Sequence, residues 1–289
     1  MARLPLANWN GEELPLEDVL VPVQDRAFFF GDAVYEAIRV YGGRAWLSQE
    51  HFARLSRSLE LMRIEVDLAV IEQRTQETLE HSGVENGLIY IQVTRGAAPR
   101  THYFPPEGTV PNVLVSVSEL DGDPYAHLRT SGAKVITHED LRWARRDIKT
   151  VNLLGNCMAA QAAREAGCAE AILISADGSL TEGTHTNLFG VSNGQLLTSP
   201  TGHHILPGIT RSLVLRLAER AQVPVIERPL TIENVYSVDE LFLTGTTTEI
   251  LAVTEVDGRA IGNGPGPITQ RLSATYHEAV REWLESAGH

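Results

Sequence analysis

The chain has 289 residues, of which 43% are hydrophobic and 21% are charged, so its composition excludes both a disordered chain and a membrane protein. Its 37 acidic residues outnumber its 24 basic residues, and the net charge of -13 excludes a broad nucleic-acid-binding surface. The first residues form no apolar run, and no stretch of about 18 apolar residues follows. The sequence therefore predicts a cytoplasmic protein with no membrane-spanning segment.

The first part of the chain shows the patterns of both helices and strands. Gly42-Gly43 is a tight-turn signal that follows an alternating apolar pattern, which indicates a β-hairpin. Asp67 and Gly83 flank an apolar-periodic segment as an N-cap and a C-terminal glycine would. The predicted elements are a hairpin of 34–41 with 44–47, helices over 51–64 and 68–81, and strands over 88–94 and 110–117.

A long loop and a domain boundary follow from glycine and proline. Residues 95–106 contain too much of both to form a strand or a helix, so this segment is predicted to be a projecting loop. Four turn-forming residues interrupt the apolar pattern at 121–124. We therefore predict an α+β protein with an N-terminal domain over 1–120, a linker over 121–131 and a C-terminal domain over 132–289.

The C-terminal part predicts a second α+β unit. Asn193-Gly194 is the strongest short hairpin signal, and Asp177-Gly178 and Asp257-Gly258 mark two more turns. The predicted elements are helices over 156–166, 210–222 and 268–286, and strands over 171–174, 188–191, 196–198, 225–226 and 241–243.

Lysine is rare in this chain, since Lys134 and Lys149 are two of 24 basic residues. A position that stays lysine favours a role that arginine cannot perform, because guanidinium does not lose its proton at ordinary pH. Lys149 follows the mixed charges of 142–147, and a partly desolvated lysine can supply a neutral amine that forms a Schiff base. An ordinary surface lysine that balances Asp147 is the alternative.

Three polar segments are candidates for binding a charged ligand. Glu182 is predicted at a turn between two strands, either solvated or facing a pyridine nitrogen. Residues 206–211 form a glycine-led helix start, where free N–H groups favour a phosphate and N-capping by Thr210 is the alternative. Residues 244–249 offer three hydroxyls and close backbone approach at Gly245, although threonines are also good strand residues. Together with Lys149, these segments supply an amine, a carboxylate and two turns that favour a phosphate. A binding site for pyridoxal 5′-phosphate (PLP) needs these groups.

The order of these motifs resembles that of the fold-type IV aminotransferases, the family of branched-chain and D-amino-acid transaminases. The resemblance extends from Asp25 to Val256. It implies a PLP-dependent transaminase with a small N-terminal α/β domain, a larger C-terminal α/β domain and the cofactor between them. The matching motifs are 24–36, Arg54-Leu55, 147–149 with 152–154, 181–183 with Asn187, 208–211 and 245–247.

The same resemblance implies a role for individual residues. Lys149 corresponds to the Schiff-base lysine, which is the catalytic residue, and Glu182 to the carboxylate that faces the pyridine nitrogen. The cofactor-binding residues that it implies are Arg54, Lys149, Glu182, Ile209, Thr210, Thr246 and Thr247.

The loop at 95–102 resembles the D-amino-acid transaminase pattern Arg-x-His. The resemblance implies that Arg100 and His102 are donated across a homodimer interface and bind the substrate α-carboxylate together with Tyr35. It implies transfer of the amino group between D-amino acids, such as D-alanine and D-glutamate, and 2-oxo acids, with side activity on R-amines. A branched-chain L-amino-acid aminotransferase, an aminodeoxychorismate lyase, an R-amine transaminase and a catalytically silent scaffold are the alternatives.

Two positions depart from the family pattern. His185 stands where close D-transaminase relatives have small hydroxyl residues, and Gly245 stands where they tend to have serine. Both departures concern the side-chain pocket. His203-His204 has no third ligand at usable spacing, so no metal site is predicted.

Overall fold

The computed structural model describes residues 5–286. They form two compact units, of which the first runs to Gly122 and takes in Ile148–Asn152. The second unit comprises Asp123–Asp147 and the chain from Leu153 onward. The predicted division placed 148–152 in the C-terminal domain and treated 123–131 as a linker, whereas the contacts of the structure assign 148–152 to the first unit and 123–131 to the second.

The first unit is built on an antiparallel sheet with the strand order β2-β1-β6-β5-β3-β4. Two amphipathic helices, α2 and α3, pack their apolar residues against one face of this sheet. Asp67 caps α3 by accepting from the backbone N–H of Ala69 at 3.0 Å, as the sequence predicts. The elements are β1 Leu6–Trp9, β2 Glu12–Pro15, α1 Arg26–Phe30, β3 Ala33–Tyr41, β4 Arg44–Ala45, α2 Ser48–Met62, α3 Leu68–Ser82, β5 Asn86–Thr94 and β6 Val113–Glu119.

The second unit contains a mixed sheet with the order β12-β11-β10-β13-β14-β7-β8-β9, and β15 pairs with β14. Strand β7 runs parallel to both of its neighbours, whereas β10 runs antiparallel to both β11 and β13. The elements are β7 Ala133–Glu139, α4 Leu154–Glu165, β8 Glu170–Ile174, β9 Leu180–Gly183, β10 Asn187–Ser192, β11 Gln195–Thr198, α5 Ile209–Arg220, β12 Val225–Glu227, β13 Glu240–Gly245, β14 Glu249–Val256, β15 Arg259–Ala260 and α6 Pro267–Glu285.

The predicted helices and hairpins are confirmed, with ends that differ by three residues at most. Strand β6 begins at Val113 rather than at 110, because Pro111 has no N–H group to donate to a neighbouring strand. The four-residue strands β1, β2 and β9 and the seven-residue strand β7 were not predicted from the sequence. Within residues 5–286 no helix is long and apolar enough to cross a membrane. The cytoplasmic location stays a prediction.

Candidate active site

The backbone holds Lys149 next to the start of β3. Its carbonyl accepts from the N–H of Tyr35 at 2.9 Å, and Ile148 inserts into the apolar core of the first unit. The Lys149 side chain is half-buried, and Nζ lies 4.2 Å from the centre of the Tyr35 ring, a cation–π distance. The Asp147 carboxylate is bound by Arg145 at 2.9 Å, so this carboxylate already has a cationic partner. The surroundings of Lys149 are therefore aromatic on at least one side.

Arg54 is buried on α2 and is fixed by Glu36 of β3. Its Nε and Nη2 atoms each donate to the Glu36 carboxylate at 2.8 Å, and His51 Nδ1 lies 2.7 Å from the same carboxylate. Burial alone would raise the pKa of Glu36, but Arg54 and the His51 hydrogen bond outweigh it and hold this pKa at about 2. Burial also lowers the pKa of His51. The carboxylate is thus ionised, and the Arg54 fork is held in one orientation.

Glu182 lies inside β9, so the prediction that placed it in a turn is wrong. Strand β9 continues to Gly183, which pairs with Ile172 of β8, and the Glu182 side chain is buried rather than solvated. Its carboxylate accepts from Arg142 Nη1 at 2.5 Å, from Asn187 Nδ2 at 2.9 Å and from the Leu206 N–H at 3.0 Å. Burial raises the pKa of Glu182 to about 7, against the opposing effect of Arg142.

Arg142 connects Glu182 to a second buried carboxylate. Its Nη2 and Nε atoms donate to Asp140 at 2.8 and 2.9 Å, and the Thr181 hydroxyl donates to the same carboxylate at 2.9 Å. Arg142 and Asp140 were not predicted as site residues, although the mixed charge of this segment was a signal for them. A guanidinium held between two carboxylates fixes the orientation of Glu182.

The phosphate-binding turn predicted at 208–211 is the start of helix α5. Gly208 is the N-cap and has no side chain to cap the helix, so the alternative in which Thr210 caps α5 is wrong. A Cβ atom on Gly208 would lie 1.9 Å from Asn187 Oδ1, so a larger residue there would displace the Asn187 amide. Ile209 and Thr210 occupy the first turn, where the N–H groups and the helix dipole favour an anion.

The second predicted turn connects β13 to β14. Thr246, Thr247 and Thr248 form this turn, so the alternative in which the three threonines continue a strand is wrong. Within residues 5–286, the buried hydroxyls of Thr244 and Thr248 have no hydrogen-bond partner. Unpaired buried hydroxyls are costly without a ligand. This turn therefore offers polar groups that a bound phosphate would satisfy.

Asn187 brings the carboxylate and both turns of the second unit together. It pairs with Thr244 across β10 and β13, and its amide donates to Glu182 and to the Leu206 carbonyl just before α5. A buried carboxylate therefore lies on the same strand end as a helix N-terminus and a turn with free hydroxyls. This donor set fits a ligand that combines a phosphate with a basic ring nitrogen, which is the chemistry of PLP.

The loop predicted to bind the substrate carboxylate is exposed. The Arg100 guanidinium lies 5.3 Å and the His102 ring 5.7 Å from the Phe30 ring centre. Tyr35 instead stacks on Tyr90 with their ring centres 5.6 Å apart. Within the described part of the chain, Arg100 and His102 form no hydrogen bond or ring contact with Tyr35. A single chain therefore does not assemble these three residues through direct contacts.

His185, which departs from the family pattern, has a local structural role. Its Nδ1 atom lies 3.0 Å from the buried Glu170 carboxylate, and its Nε2 atom lies 3.1 Å from the Tyr125 hydroxyl. Half of its side chain is exposed. His185 therefore links the β9–β10 connection to the segment at Tyr125.

Comparison with known proteins identifies the family. Residues 33–256 match the family model of amino-transferase class IV. The chain belongs to the class IV aminotransferases, and it is a PLP-dependent aminotransferase with the fold-type IV architecture. Both the predicted family and the predicted cofactor are confirmed.

Individual relatives fall into two groups. The chain is 38% identical over 275 residues to a D-alanine aminotransferase of Staphylococcus epidermidis, which covers 94% of this chain and 96% of that protein. It is 37% identical over 275 residues to a D-alanine aminotransferase of Bacillus licheniformis, with the same coverage of both chains.

Solved structures of branched-chain amino acid aminotransferases are similar to this chain in fold. The Escherichia coli structure has a TM-score of 0.90 at 28% identity and covers 96% of this chain and 94% of its own. The structure from Thermoproteus uzoniensis, solved with norvaline, has a TM-score of 0.82 at 28% identity, with coverages of 94% and 93%. A further branched-chain structure, solved with pyridoxamine 5′-phosphate, has a TM-score of 0.89 at 28% identity, with coverages of 97% and 95%. The fold is therefore shared between the two groups, and sequence identity is higher to the first.

Proposed function

We propose that this enzyme transfers the amino group between D-amino acids, such as D-alanine and D-glutamate, and 2-oxo acids. The observation that carries the proposal is the exposed loop with Arg100 and His102, a pair that the branched-chain pattern lacks. The 38% identity to a D-alanine aminotransferase supports it. Side activity on R-amines follows from the proposal, because an R-amine presents its Cα–H with the geometry of a D-amino acid.

The cofactor-binding residues are proposed from the geometry of each unit. The phosphate is bound by guanidinium, N–H and hydroxyl groups, which come from Arg54, Ile209, Thr210, Thr246 and Thr247. When bound, PLP withdraws electrons from the substrate Cα and thereby acidifies the Cα–H.

Lys149 and Glu182 act on different protons, one on the substrate Cα and one on the ring nitrogen. Lys149 would hold the cofactor through Nζ, and its amine would serve as the general base and acid for the proton on the substrate Cα. The Glu182 carboxylate would face the ring nitrogen of the bound cofactor and would favour a proton there. A positive charge at that nitrogen favours the ionised form of Glu182, which Arg142 also stabilises.

The substrate α-carboxylate is bound by Tyr35 and by Arg100 and His102 of a neighbouring subunit. Arg100 offers a two-pronged guanidinium, and His102 and Tyr35 each add one donor. The side on which the carboxylate is bound determines which Cα substituent faces Lys149. With the carboxylate on the Arg100 side, the Cα–H of a D-amino acid faces the amine.

A homodimer is proposed because the segments at 20–28 and 103–110 expose large apolar side chains. Backbone hydrogen bonds from Ala98 to Gln24 and from Arg26 to Gly96 join the loop to the preceding segment. Large exposed apolar clusters mark interaction surfaces. The exposed residues are Leu20, Val21, Val23, Phe28, Tyr103, Phe104 and Val110.

A branched-chain L-amino-acid aminotransferase is the second candidate, favoured by the TM-score of 0.90 to such an enzyme. Steady-state turnover of D-leucine and L-leucine with 2-oxoglutarate separates the two, because the enantiomers share one side chain. D-alanine is included as a smaller D-substrate. We expect turnover of both D-amino acids, and turnover of L-leucine alone would contradict the proposal. An aminodeoxychorismate lyase would transaminate none of the three.

Arg100→Ala is expected to raise the KM for D-alanine by about tenfold or more, because a charged hydrogen bond to the carboxylate is lost. The kcat/KM for (R)-1-phenylethylamine, which has no carboxylate, is expected to change less than twofold. Initial rates at several substrate concentrations measure both effects. Equal losses for the two substrates would show that Arg100 does not bind the carboxylate.

A further inference from the structure

Asp32, which directly precedes β3, holds two buried arginines. Its Oδ2 atom accepts from Arg26 Nε at 2.7 Å and from Arg95 Nε at 2.8 Å. The relative exposures of Asp32, Arg26 and Arg95 are 6%, 3% and 6%. Two buried cations around one carboxylate are costly to desolvate, so an arrangement of this kind requires further partners for the arginines.

Those further partners include the loop that carries Arg100 and His102. Arg26 Nη1 donates to the Thr101 carbonyl at 2.8 Å, which lies between the two proposed substrate-binding residues. The Arg95 guanidinium lies 3.8 Å from the Phe104 ring centre, a close cation–π contact. Arg26 and Arg95 therefore contact the loop at Thr101 and Phe104, on either side of His102.

Arg95 is itself anchored to the end of helix α2. Its Nη1 atom donates to the Arg63 carbonyl at 2.8 Å, and Nη2 donates to the Met62 carbonyl at 2.6 Å. Arg63 follows the last residue of α2 and adopts the left-handed conformation that ends the helix. Arg95 therefore ties the loop to a rigid element, and Asp32 sets the orientation of both arginines.

We propose that Asp32, Arg26 and Arg95 are positioning residues that hold the loop in the conformation in which Arg100 and His102 meet the substrate carboxylate. This inference rests on the proposed function of Arg100 and His102. An exposed loop that is ordered before substrate arrives loses less conformational entropy on binding. The three residues thus act on substrate affinity through the loop and do not touch the substrate themselves.

The two contacts made by residue 26, with Asp32 and with the Thr101 carbonyl, require a guanidinium group. One nitrogen of Arg26 binds Asp32 while another reaches the Thr101 carbonyl, and the Cζ atom lies 4.6 Å from the Phe30 ring centre. A lysine ammonium is a single point charge and cannot span these two acceptors in the same way. Arg26→Lys therefore keeps the charge beside Asp32 and loses the contact with the loop.

Arg26→Met and Arg26→Lys test this role in the PLP-loaded enzyme. We expect the KM for D-alanine to rise by about tenfold in Arg26→Met, as loss of a charged hydrogen bond allows, with kcat changed by less than twofold. Amide hydrogen exchange in the peptide spanning 99–104 is expected to become at least about tenfold faster. Arg26→Lys is expected to change both quantities in the same direction. Arg164→Lys, at an exposed position of α4, is the matched control.

The background of Arg100→Ala separates this inference from the proposed function. There Arg26→Met is expected to raise KM by a smaller factor than in the wild type, because only His102 remains on the loop to bind the carboxylate. If Arg100→Ala raises KM while both Arg26 variants leave KM and exchange unchanged, the positioning role is overturned. A rise in KM without faster loop exchange also overturns it. If Arg100→Ala itself leaves KM unchanged, the proposed carboxylate site fails first, and this inference fails with it.

Discussion

Lys149→Ala is expected to lower the transamination rate with D-alanine by about 10³-fold or more, since the residue is proposed both to hold the cofactor covalently and to carry the Cα proton. Its carbonyl is held by the N–H of Tyr35 in β3, so removal of the side chain leaves this backbone contact in place. Lys134→Ala is the matched control. Lys134 is exposed and pairs with Glu255 at 3.0 Å on the surface.

Borohydride reduction followed by peptide mass analysis provides a second measurement of the Lys149 prediction. In the wild-type protein and in Lys134→Ala, the cofactor is expected on the peptide that contains Lys149. Lys149→Ala is expected to yield no modified peptide. Cofactor found on the Lys134 peptide, or unchanged turnover of Lys149→Ala, would contradict the assignment.

Glu182→Gln is expected to lower kcat by about 10²-fold, because a neutral amide does not stabilise a proton on the ring nitrogen as a carboxylate does. Gln is close in shape to Glu, so the contacts with Asn187 and Leu206 can persist. Glu255→Gln, which removes a surface carboxylate, is the control and is expected to retain wild-type kcat. Equal kcat for Glu182→Gln and the wild type would show that this charge is not used.

The same variant changes how the stability of the cofactor-free protein depends on pH. Burial raises the pKa of Glu182 from 4.5 to about 7, so between these values the folded chain holds a proton that the unfolded chain has released. The free energy of unfolding therefore falls as the pH rises from 4.5 to 7. Glu182→Gln is expected to remove this contribution to the pH dependence of the unfolding free energy. Urea unfolding at pH 5 and pH 7.5 measures it. The same change in unfolding free energy between these two pH values in both proteins would contradict the burial argument.

Local patterns predicted much of the fold. The α3 helix with its Asp67 cap and the Asn193-Gly194 hairpin depend on neighbouring residues, and both are observed. The start of α5 could be located from Gly208, although the cap was assigned to Thr210 as one alternative. Glu182 was placed in a turn because β9 is short and lacks an alternating pattern, and its pairing with β8 depends on the tertiary structure.

The charged partners of the site residues could not be predicted from sequence. Glu36 is 18 positions from Arg54, and Arg142 is 40 positions from Glu182. These pairs form only when separate elements pack together, and surface ion pairs would give the same sequence pattern. The hydrogen bond from Arg26 to the Thr101 carbonyl, 75 positions away, could not be predicted either, because a backbone carbonyl carries no sequence signal.

The half-reaction without acceptor distinguishes a D-amino-acid transaminase from a branched-chain enzyme in a single turnover. PLP-loaded enzyme is mixed with D-alanine, L-alanine or L-leucine in separate cuvettes, and the visible absorbance of the bound cofactor is followed. D-alanine alone is expected to abolish this absorbance, since the loop with Arg100 and His102 binds the carboxylate on the side that turns a D-substrate's Cα–H toward Lys149. Loss of the absorbance with L-leucine and not with D-alanine would contradict the account and identify a branched-chain enzyme.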